Sequence, residues 1–307
     1  MNYIAEETKS PSTLVRQHLE DSVRCCTREE DDEFLFQANI LVGFLLRTTT
    51  AQTTNRQEKW WNVDIMESSN FEGRLRGGKG WLWHTQDRTV NKALAALGRM
   101  GVSGDGFWAR DMTFENTAAG PQKHQAVALR VNADLGVFYR CSFKAYQDTL
   151  FVHSLRQFYR DCHIYGTIDF IFGDAPVVLQ NCDICIRRPM RHQANMITAQ
   201  GRDSPHENTG ICIQGSRVRA SPEFVPVKNS FKSYLGRPWK KDSRTVFIKT
   251  DLDGLIDPKG WTEWDGSYAL STLYYAEYMN TGAGAATQGR VTWPGFHVLK
   301  STRISLI

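Results

Sequence analysis

The segments FYRCSF (residues 138–143), FYRDCHI (residues 158–164) and LQNCDI (residues 179–184) repeat one pattern along the chain. Their cysteines stand at positions 141, 162 and 182, so the step from one segment to the next is nearly constant. A repeat of about 20 residues is typical of one solenoid coil, which holds about three short strands. We therefore predict a parallel β-helix, in which strands of successive coils stack about 4.8 Å apart.

The rest of the chain beyond Val102 has the same character. Short runs rich in Val, Ile, Phe, Tyr and Thr alternate with Asn, Asp and Gly, which indicates β-strands separated by turns. A β-sandwich is the competing architecture, and it would place hairpin signals such as Asn-Gly between its strands. That dipeptide does not occur in the sequence. The pattern therefore favours an all-β solenoid.

The N-terminal part of the chain differs from this β region. Val15, Leu19 and Val23 are spaced four residues apart and predict an amphipathic helix, and residues 89–97 (TVNKALAAL) predict a second one. The long segment between the two helices has no sustained period and is predicted to be irregular. We expect this short helical and irregular region to contribute packing and not chemistry.

Composition excludes several classes of protein. The 307 residues are 41% hydrophobic and 23% charged, as in an ordinary globular protein. The net charge of +4 comes without concentrated basic runs, so no nucleic-acid partner is predicted, although a polyanionic substrate is compatible. The longest apolar run, residues 40–46, is far shorter than the roughly 20 residues of a membrane-spanning helix, so no membrane partner is predicted. The acidic N-terminus predicts no export signal.

Two aspartates stand within otherwise apolar strand sequence. Asp148 lies in AYQDTLF and Asp169 in GTIDFIFG, and the step between them equals the step from Cys141 to Cys162. We therefore expect them at equivalent places on neighbouring coils, with carboxylates on the order of 5 Å apart. Two like charges so close raise one pKa and divide the pair into a proton carrier and an ionised nucleophile. The alternative is a solvated aspartate in each of two turns.

Two glutamines accompany the aspartates. The step from Gln125 to Gln147 is one residue longer than the step between the aspartates, which would bring both amides to the same face. Amides do not titrate, but they donate hydrogen bonds to a developing oxyanion. A simple turn contact is the alternative for each.

A third candidate segment is YLGRPW (residues 234–239). Arg237 offers a planar fork that binds a carboxylate bidentately, and Trp239 offers an aromatic face that can stack on a sugar ring. The alternative is a surface salt bridge beside a buried tryptophan.

The cysteines do not indicate a metal site. Cys182 and Cys185 form a C-x-x-C pair, but there is no second pair for zinc, and this spacing in a strand places the thiols on opposite faces. We interpret them as packing cysteines. Cys141 and Cys162 are near enough on adjacent coils for a disulfide, and stacked free thiols are equally compatible.

Several strings together resemble the plant pectin methylesterases: GDGFWARDMTFENTAAGPQKHQAVALR, YQDTLF, GTIDFIFG, YLGRPW and NTGAGA. The resemblance extends almost unbroken over residues 102–299. It implies a right-handed parallel β-helix with a pectin-binding cleft along one face. It also implies hydrolysis of the methyl esters of galacturonate units, without a metal or an organic cofactor.

The resemblance assigns roles to the candidate residues. Asp169 matches the family's nucleophile and Asp148 its general acid and base. Gln125 and Gln147 match the amides that stabilise the oxyanion. Arg237 matches the residue that orients the nucleophile.

Further implications concern substrate, partner and location. Gln125, Arg237 and Trp239 match positions that contact the substrate. The resemblance implies pectin (methyl-esterified homogalacturonan) as substrate, a proteinaceous pectin methylesterase inhibitor as partner, and an extracellular location in the plant cell wall. A catalytically inactive pectin-binding remnant is the alternative function. Glycoside hydrolysis also suits two carboxylates about 5 Å apart, but the strings typical of polygalacturonases do not occur.

Departures from the family pattern set the predicted domains. Residues 1–80 do not match the inhibitor-like pro-region of the family, and residues 1–88 are left as an unassigned N-terminal region of helix and irregular structure. Residues 89–307 are predicted to form the β-helix domain without its first coils, because RMG at 99–101 runs directly into VSGDGF. The closing C-terminal segment is also expected to be missing, which would leave both ends of the solenoid open and its stability marginal.

Overall fold

The computed structural model describes residues 62–64, 82–83, 101–116 and 125–300. All of the described strands lie in the compact unit Trp60–Leu299. The predicted helices around residues 15–23 and at residues 89–97 lie outside the described residues. So does the domain boundary between residues 88 and 89, which stays a prediction.

The described residues form three sheets, and their strands are numbered in chain order. The first sheet has seven strands, in spatial order β1 (Asn62–Asp64), β3 (Gly101–Ser103), β6 (Leu129–Asn132), β9 (Leu150–Ser154), β12 (Ile171–Gly173), β15 (Asn195–Gln200) and β18 (Ser233–Gly236).

The second sheet has eight strands, in spatial order β22 (Phe296–Val298), β21 (Tyr274–Tyr278), β19 (Arg244–Ile248), β16 (Gly210–Gln214), β13 (Pro176–Gln180), β10 (Gln157–Arg160), β7 (Gly136–Tyr139) and β4 (Trp108–Arg110). The third sheet has seven strands, in spatial order β2 (Leu82–Trp83), β5 (Thr113–Glu115), β8 (Ser142–Lys144), β11 (His163–Gly166), β14 (Asp183–Ile186), β17 (Arg217–Ala220) and β20 (Asp251–Leu252). Within the described ranges the one helix is a 3₁₀ turn at Val225–Ser230.

The strands wind as a solenoid. From β4 to β18 the chain visits the second, third and first sheets in rotation, so each round of three strands is one coil. Tyr159 pairs with Phe138 on one side and with Leu179 on the other, which reproduces the two steps predicted from the cysteines. Neighbouring strands run parallel except β1 and β3, which are antiparallel. The predicted all-β, right-handed parallel β-helix is confirmed.

Alternation of side chains builds the core. In β6 and β7 every second residue is buried, as expected for strands with one face inward. Equivalent inward positions on neighbouring coils then stack in columns. The rings of Phe138 and Tyr159 are 4.7 Å apart and nearly parallel, and those of Phe114 and Phe143 are 5.3 Å apart. Such stacking links each coil to the next through apolar contact.

The cysteines follow the same alternation. Cys141, Cys162 and Cys182 are buried free thiols on three successive coils, so of the two alternatives for Cys141 and Cys162 the structure has stacked thiols. Cys185 is half-buried on the outer side of β14, while Cys182 belongs to the core. The opposite orientation predicted for the C-x-x-C pair is therefore confirmed.

Candidate active site

Two equivalent turns, each leading from the third sheet into the first, carry the aspartates. Asp148 lies between β8 and β9, and Asp169 lies between β11 and β12. Each aspartate precedes by two residues one member of the in-register pair Leu150 and Ile171. The amide of Asp148 donates a hydrogen bond to the carbonyl of Ile168, 3.0 Å away. The predicted juxtaposition on neighbouring coils is therefore present.

The backbone of both turns has the same conformation. Asp148 and Asp169 adopt φ values of 62° and 50°, in the left-handed region that aspartate tolerates better than most residues. Their side chains are nearly inaccessible, with only 7% and 5% of each residue exposed. The alternative prediction from the sequence, a solvated aspartate in each turn, is therefore wrong.

Arg237 contacts one aspartate through both arms of its guanidinium. Its Nε donates to Asp169 Oδ1 at 2.9 Å, and its Nη2 donates to Asp169 Oδ2 at 2.6 Å. This is the bidentate geometry that fixes a carboxylate in orientation as well as in charge. The ion pair is protected from water because only 21% of the arginine side chain and 7% of the aspartate side chain are exposed.

A glycine places this arginine. Gly236, the last residue of β18, pairs in register with Thr198 of β15. A Cβ atom on Gly236 would lie 2.0 Å from Thr198 Oγ1, so no larger residue fits without displacing a strand. The amide of Arg237 then donates to the carbonyl of Thr198 at 3.0 Å. The Gly-Arg sequence thus sets the position from which the guanidinium reaches Asp169.

The two aspartates differ in the groups that shift their pKa values. Burial and the neighbouring charge of Asp169 raise the pKa of Asp148 to about 8, against a smaller lowering by Arg237. Burial also raises the pKa of Asp169, but the hydrogen bonds and charge of Arg237 oppose this rise. Among the described residues Asp148 has no ion-pair partner. At neutral pH the arrangement therefore favours a protonated Asp148 beside an ionised Asp169.

A bulge brings the two glutamines into line. The amides of Ala128 and Leu129 both donate to the carbonyl of Thr149, at 2.8 and 3.3 Å, so one extra residue is absorbed in this coil. The longer spacing of Gln125 and Gln147 therefore still places them at equivalent positions. Gln125 is exposed and Gln147 half-buried, one residue before Asp148. Their catalytic role stays a prediction.

An aromatic floor lies beside the aspartates. The rings of Phe151 and Phe172 stack 4.5 Å apart, at 9° to each other. Trp239 meets both edge-on, with centroids 6.4 and 6.0 Å away, and is half-buried. A Cβ atom on Gly201 would lie 2.8 Å from the indole ring, so this glycine makes room for Trp239. The two phenylalanines were not predicted, although each follows an aspartate by three residues and they are one coil step apart.

A third residue missed by the sequence analysis is Trp264. Its ring lies against the Arg237 guanidinium, 4.2 Å from centroid to Cζ, and 38% of the residue is exposed. Such a cation–π contact adds to the ion pair in holding the guanidinium. No sequence signal points to Trp264, because it lies in a long loop that has no counterpart in the repeat.

The site therefore combines a fixed carboxylate, a neighbouring carboxylic acid, two amides and an aromatic surface. Such a set suits acyl transfer: a nucleophile, a proton donor and hydrogen-bond donors for an oxyanion. In the described part of the chain there is no group of three or more His, Cys, Asp or Glu that could bind a metal ion. The same residues include no helix long and apolar enough to cross a membrane.

Comparison with known proteins identifies a family that shares this sequence and fold. The sequence model of the pectinesterase family matches residues 62–305. A relative named pectinesterase from Daucus carota is 62% identical over 243 residues, which are 78% of this chain and 76% of that protein. The solved structure of pectin methylesterase from carrot has a TM-score of 0.67 and 55% identity, and the match covers 72% of this chain and 69% of that one.

Other relatives are considerably longer than this chain. A probable pectinesterase/pectinesterase inhibitor from Arabidopsis thaliana is 75% identical over 218 residues, which are 70% of this chain but only 42% of the relative. The chain spans about two fifths of the length of this protein and of two further relatives. The family match nevertheless covers most of the chain and includes both aspartates, both glutamines and the arginine. From its sequence and its fold, this chain belongs to the pectinesterase family.

Proposed function

We propose that the protein hydrolyses the methyl esters of galacturonate units in pectin and releases methanol. The observation that carries the proposal is the bidentate ion pair of Arg237 with Asp169, next to the buried Asp148 on the neighbouring coil, whose pKa is raised to about 8. This pairing supplies an oriented nucleophile and a proton donor on adjacent coils. Both are required when a carboxylate displaces a poor leaving group such as methoxide.

In the first half-reaction, a carboxylate oxygen of Asp169 attacks the ester carbonyl carbon. The negative charge that develops on the carbonyl oxygen is stabilised by the amides of Gln125 and Gln147. Asp148 gives its proton to the departing methoxide, which leaves as methanol. The galacturonate acyl group is then joined to Asp169 as an anhydride.

In the second half-reaction, water attacks the acyl carbon of this anhydride. Asp148, now ionised, takes a proton from the water, and the bond from Asp169 to the acyl group breaks. Asp169 leaves as a carboxylate, which its hydrogen bonds from Arg237 stabilise. The product is a free galacturonate unit, and both aspartates return to their starting states.

The aromatic floor supports the choice of a sugar polymer as substrate. Trp239 and Phe151 are half-buried and offer apolar surface, and the buried Phe172 packs against both of them. Sugar rings have apolar faces of similar size, and aromatic side chains pack against them. We propose that Trp239 contacts the pectin chain, together with Gln125 and Arg237.

Partner and location follow from the same proposal. We propose that the protein acts outside the cell, in the plant cell wall, where pectin is found. A proteinaceous inhibitor is the proposed protein partner, and the combined names of the Arabidopsis relatives, pectinesterase/pectinesterase inhibitor, are compatible with it.

The test is methanol release from methyl-esterified pectin by the wild type and by Asp169→Asn. The variant should lose almost all turnover and still be retained on immobilised pectin. Asp183→Asn is the matched control, because Asp183 pairs with Arg217 on the outside of the third sheet. Wild-type retention on pectin without methanol release would instead support the inactive remnant. New reducing ends in the product would support glycoside hydrolysis.

A further inference from the structure

An arginine reaches the turn of Asp148 from two coils further along the solenoid. Arg187 directly follows β14 and lies in the connection that succeeds, by one coil, the turn of Asp169. Its amide donates to the carbonyl of Gly166 at 2.8 Å, in the coil of Asp169. Its side chain extends past that coil to the connection that contains Asp148. Arg187 thus links three successive coils.

Each nitrogen of the guanidinium has its own partner. Nη1 donates to the carbonyl of Ala145 at 3.1 Å, and Nη2 donates to the hydroxyl of Tyr146 at 2.7 Å. Nε donates to Glu223 Oε1 at 3.1 Å. Cζ lies 3.8 Å from the centroid of the Tyr146 ring, which is close enough for a cation–π contact. The guanidinium of Arg187 is therefore held in a fixed place against the tyrosine.

Tyr146 connects this arginine to both aspartates. It precedes Asp148 by two residues, and its carbonyl accepts a hydrogen bond from the amide of Thr167 at 2.8 Å. Thr167 in turn precedes Asp169 by two residues. The left-handed backbone of Asp148 persists only where the surrounding groups hold the turn. Arg187 is such a group, because it holds the turn through Tyr146.

We infer that Arg187 is a positioning residue for the proposed reaction: it holds Tyr146 so that Asp148 gives its proton to the leaving alkoxide. The inference rests on the proposed function and adds a residue to it. Arg187 does not act on the ester itself, because its three nitrogens are already engaged. Asp169 is held separately by Arg237, so loss of Arg187 displaces the proton donor and not the nucleophile.

A displaced proton donor has a selective effect on the reaction. Methoxide is a poor leaving group and needs the proton of Asp148 while its bond to the acyl carbon breaks. Trifluoroethoxide is a much weaker base and leaves with little help from an acid. A general loss of folding or of substrate binding would slow the reactions of both esters by the same factor. The leaving group therefore distinguishes a positioning role from a merely structural one.

The experiment compares the wild type with Arg187→Gln, Arg187→Lys and Tyr146→Phe. The substrates are two oligogalacturonates that differ only in carrying methyl or trifluoroethyl esters, and kcat/KM is measured from the release of alcohol. Arg217→Gln is the matched control, because it removes another arginine of the third sheet from an exposed pair with Asp183. Melting temperature verifies that each variant is folded.

Arg187→Gln should lower kcat/KM on the methyl ester about 100-fold, the lower end of what general acid catalysis contributes, and on the trifluoroethyl ester about fivefold or less. Arg187→Lys keeps the charge without the fork and should be intermediate. Tyr146→Phe removes only the hydroxyl acceptor and should show the same selectivity with a smaller loss. It decides the question if the glutamine variant does not fold. Arg217→Gln should keep both values.

Equal losses on the two esters, or wild-type kcat/KM in the folded variants, would overturn the positioning role. The double variant of Arg187→Gln and Tyr146→Phe should lose no more than Arg187→Gln alone, and additive losses would contradict the route through Tyr146. Absence of methanol release from the methyl ester by the wild type would contradict the proposed function instead. The two failures are therefore seen in different measurements.

Discussion

At the level of single residues, Asp148 and Asp169 show how position alone divides two identical side chains. They stand in equivalent turns of neighbouring coils and share a left-handed backbone conformation and a similar degree of burial. They differ because the guanidinium of Arg237 makes hydrogen bonds to Asp169 and none to Asp148. A buried carboxylate without such a partner avoids the cost of its charge by taking up a proton.

This protonation has a consequence for stability. The pKa of Asp148 is raised to about 8 in the folded protein, above its value of about 4 in an unfolded chain. The folded state therefore loses stability as pH rises from 4 through 8, because the buried group must ionise. Asp148→Asn removes that loss. Its melting temperature relative to the wild type should be higher at pH 9 than at pH 5, and a difference independent of pH would contradict the prediction.

The fork of Arg237 can be tested separately from its charge. Arg237→Lys keeps a cation near Asp169 but cannot make two parallel hydrogen bonds. We expect kcat to fall about 100-fold, the scale associated with misplacing a reacting group by about 1 Å, while KM changes little. Arg219→Lys, in an exposed pair with Asp251, should keep both values. A larger effect on KM than on kcat would indicate that Arg237 acts mainly through its contact with substrate and not by orienting Asp169.

At the level of strands and turns, close approach of β15 and β18 positions the arginine. Gly236→Ala puts a methyl group within 2.0 Å of Thr198 Oγ1 and 2.8 Å of its carbonyl oxygen. We expect lower thermal stability together with lower kcat, because the strand that carries Arg237 must move. Gly215→Ala is the control: its φ of 55° is strained for alanine, but no atom lies within 4 Å. It should cost only about 1–2 kcal/mol and leave kcat unchanged.

Between Cys141 and Cys182 the sequence was sufficient to predict the stacking of the coils. The coil step there is nearly constant, and it placed the two aspartates correctly on neighbouring coils. Beyond that point the loops lengthen, and Asp183 pairs with Arg217, which lies much more than one such step further along the chain. A longer loop obscures the repeat in the sequence, but it does not disturb the stacking, because only the strands of neighbouring coils must pair in register.

The contact of Trp264 with Arg237 could not be predicted for the same reason. It depends on where a loop without a repeat folds back, and no spacing encodes that. The alignment of Gln125 with Gln147 was predicted from a spacing one residue longer than the coil step. The bulge at Ala128 and Leu129 supplies the physical reason, and it is visible only in the hydrogen bonds of Thr149.

For the whole molecule, stability depends on each coil covering its neighbour, and the last described coil is held by a buried ion pair. Glu277 and Arg290 are each only 2% exposed at the side chain, with Nε 2.7 Å from Oε1. Trp261 donates to the same carboxylate at 3.2 Å, and Arg290 also donates to the carbonyl of Gly284. The loop that contains Gly284 is thereby fixed to β21.

Glu277→Gln should strongly destabilise the solenoid. A buried arginine left without its counter-charge costs about 3–5 kcal/mol of unfolding free energy, which denaturant unfolding can measure. Arg217→Gln breaks an exposed pair with Asp183, where 56% and 21% of the side chains are accessible, and should cost about 1 kcal/mol or less. Equal losses in the two variants would show that the Glu277 pair does not fix the coil.

The stacked thiols of Cys141, Cys162 and Cys182 can report when neighbouring coils of the solenoid separate. All three thiols are at most 1% exposed, and at Cys162 burial also raises the pKa, so little reactive thiolate forms there while the coils are stacked. A thiol-modifying reagent can label these positions only when neighbouring coils separate. The order in which the three become labelled, read by mass spectrometry over hours, would then report which end of the stack comes apart first.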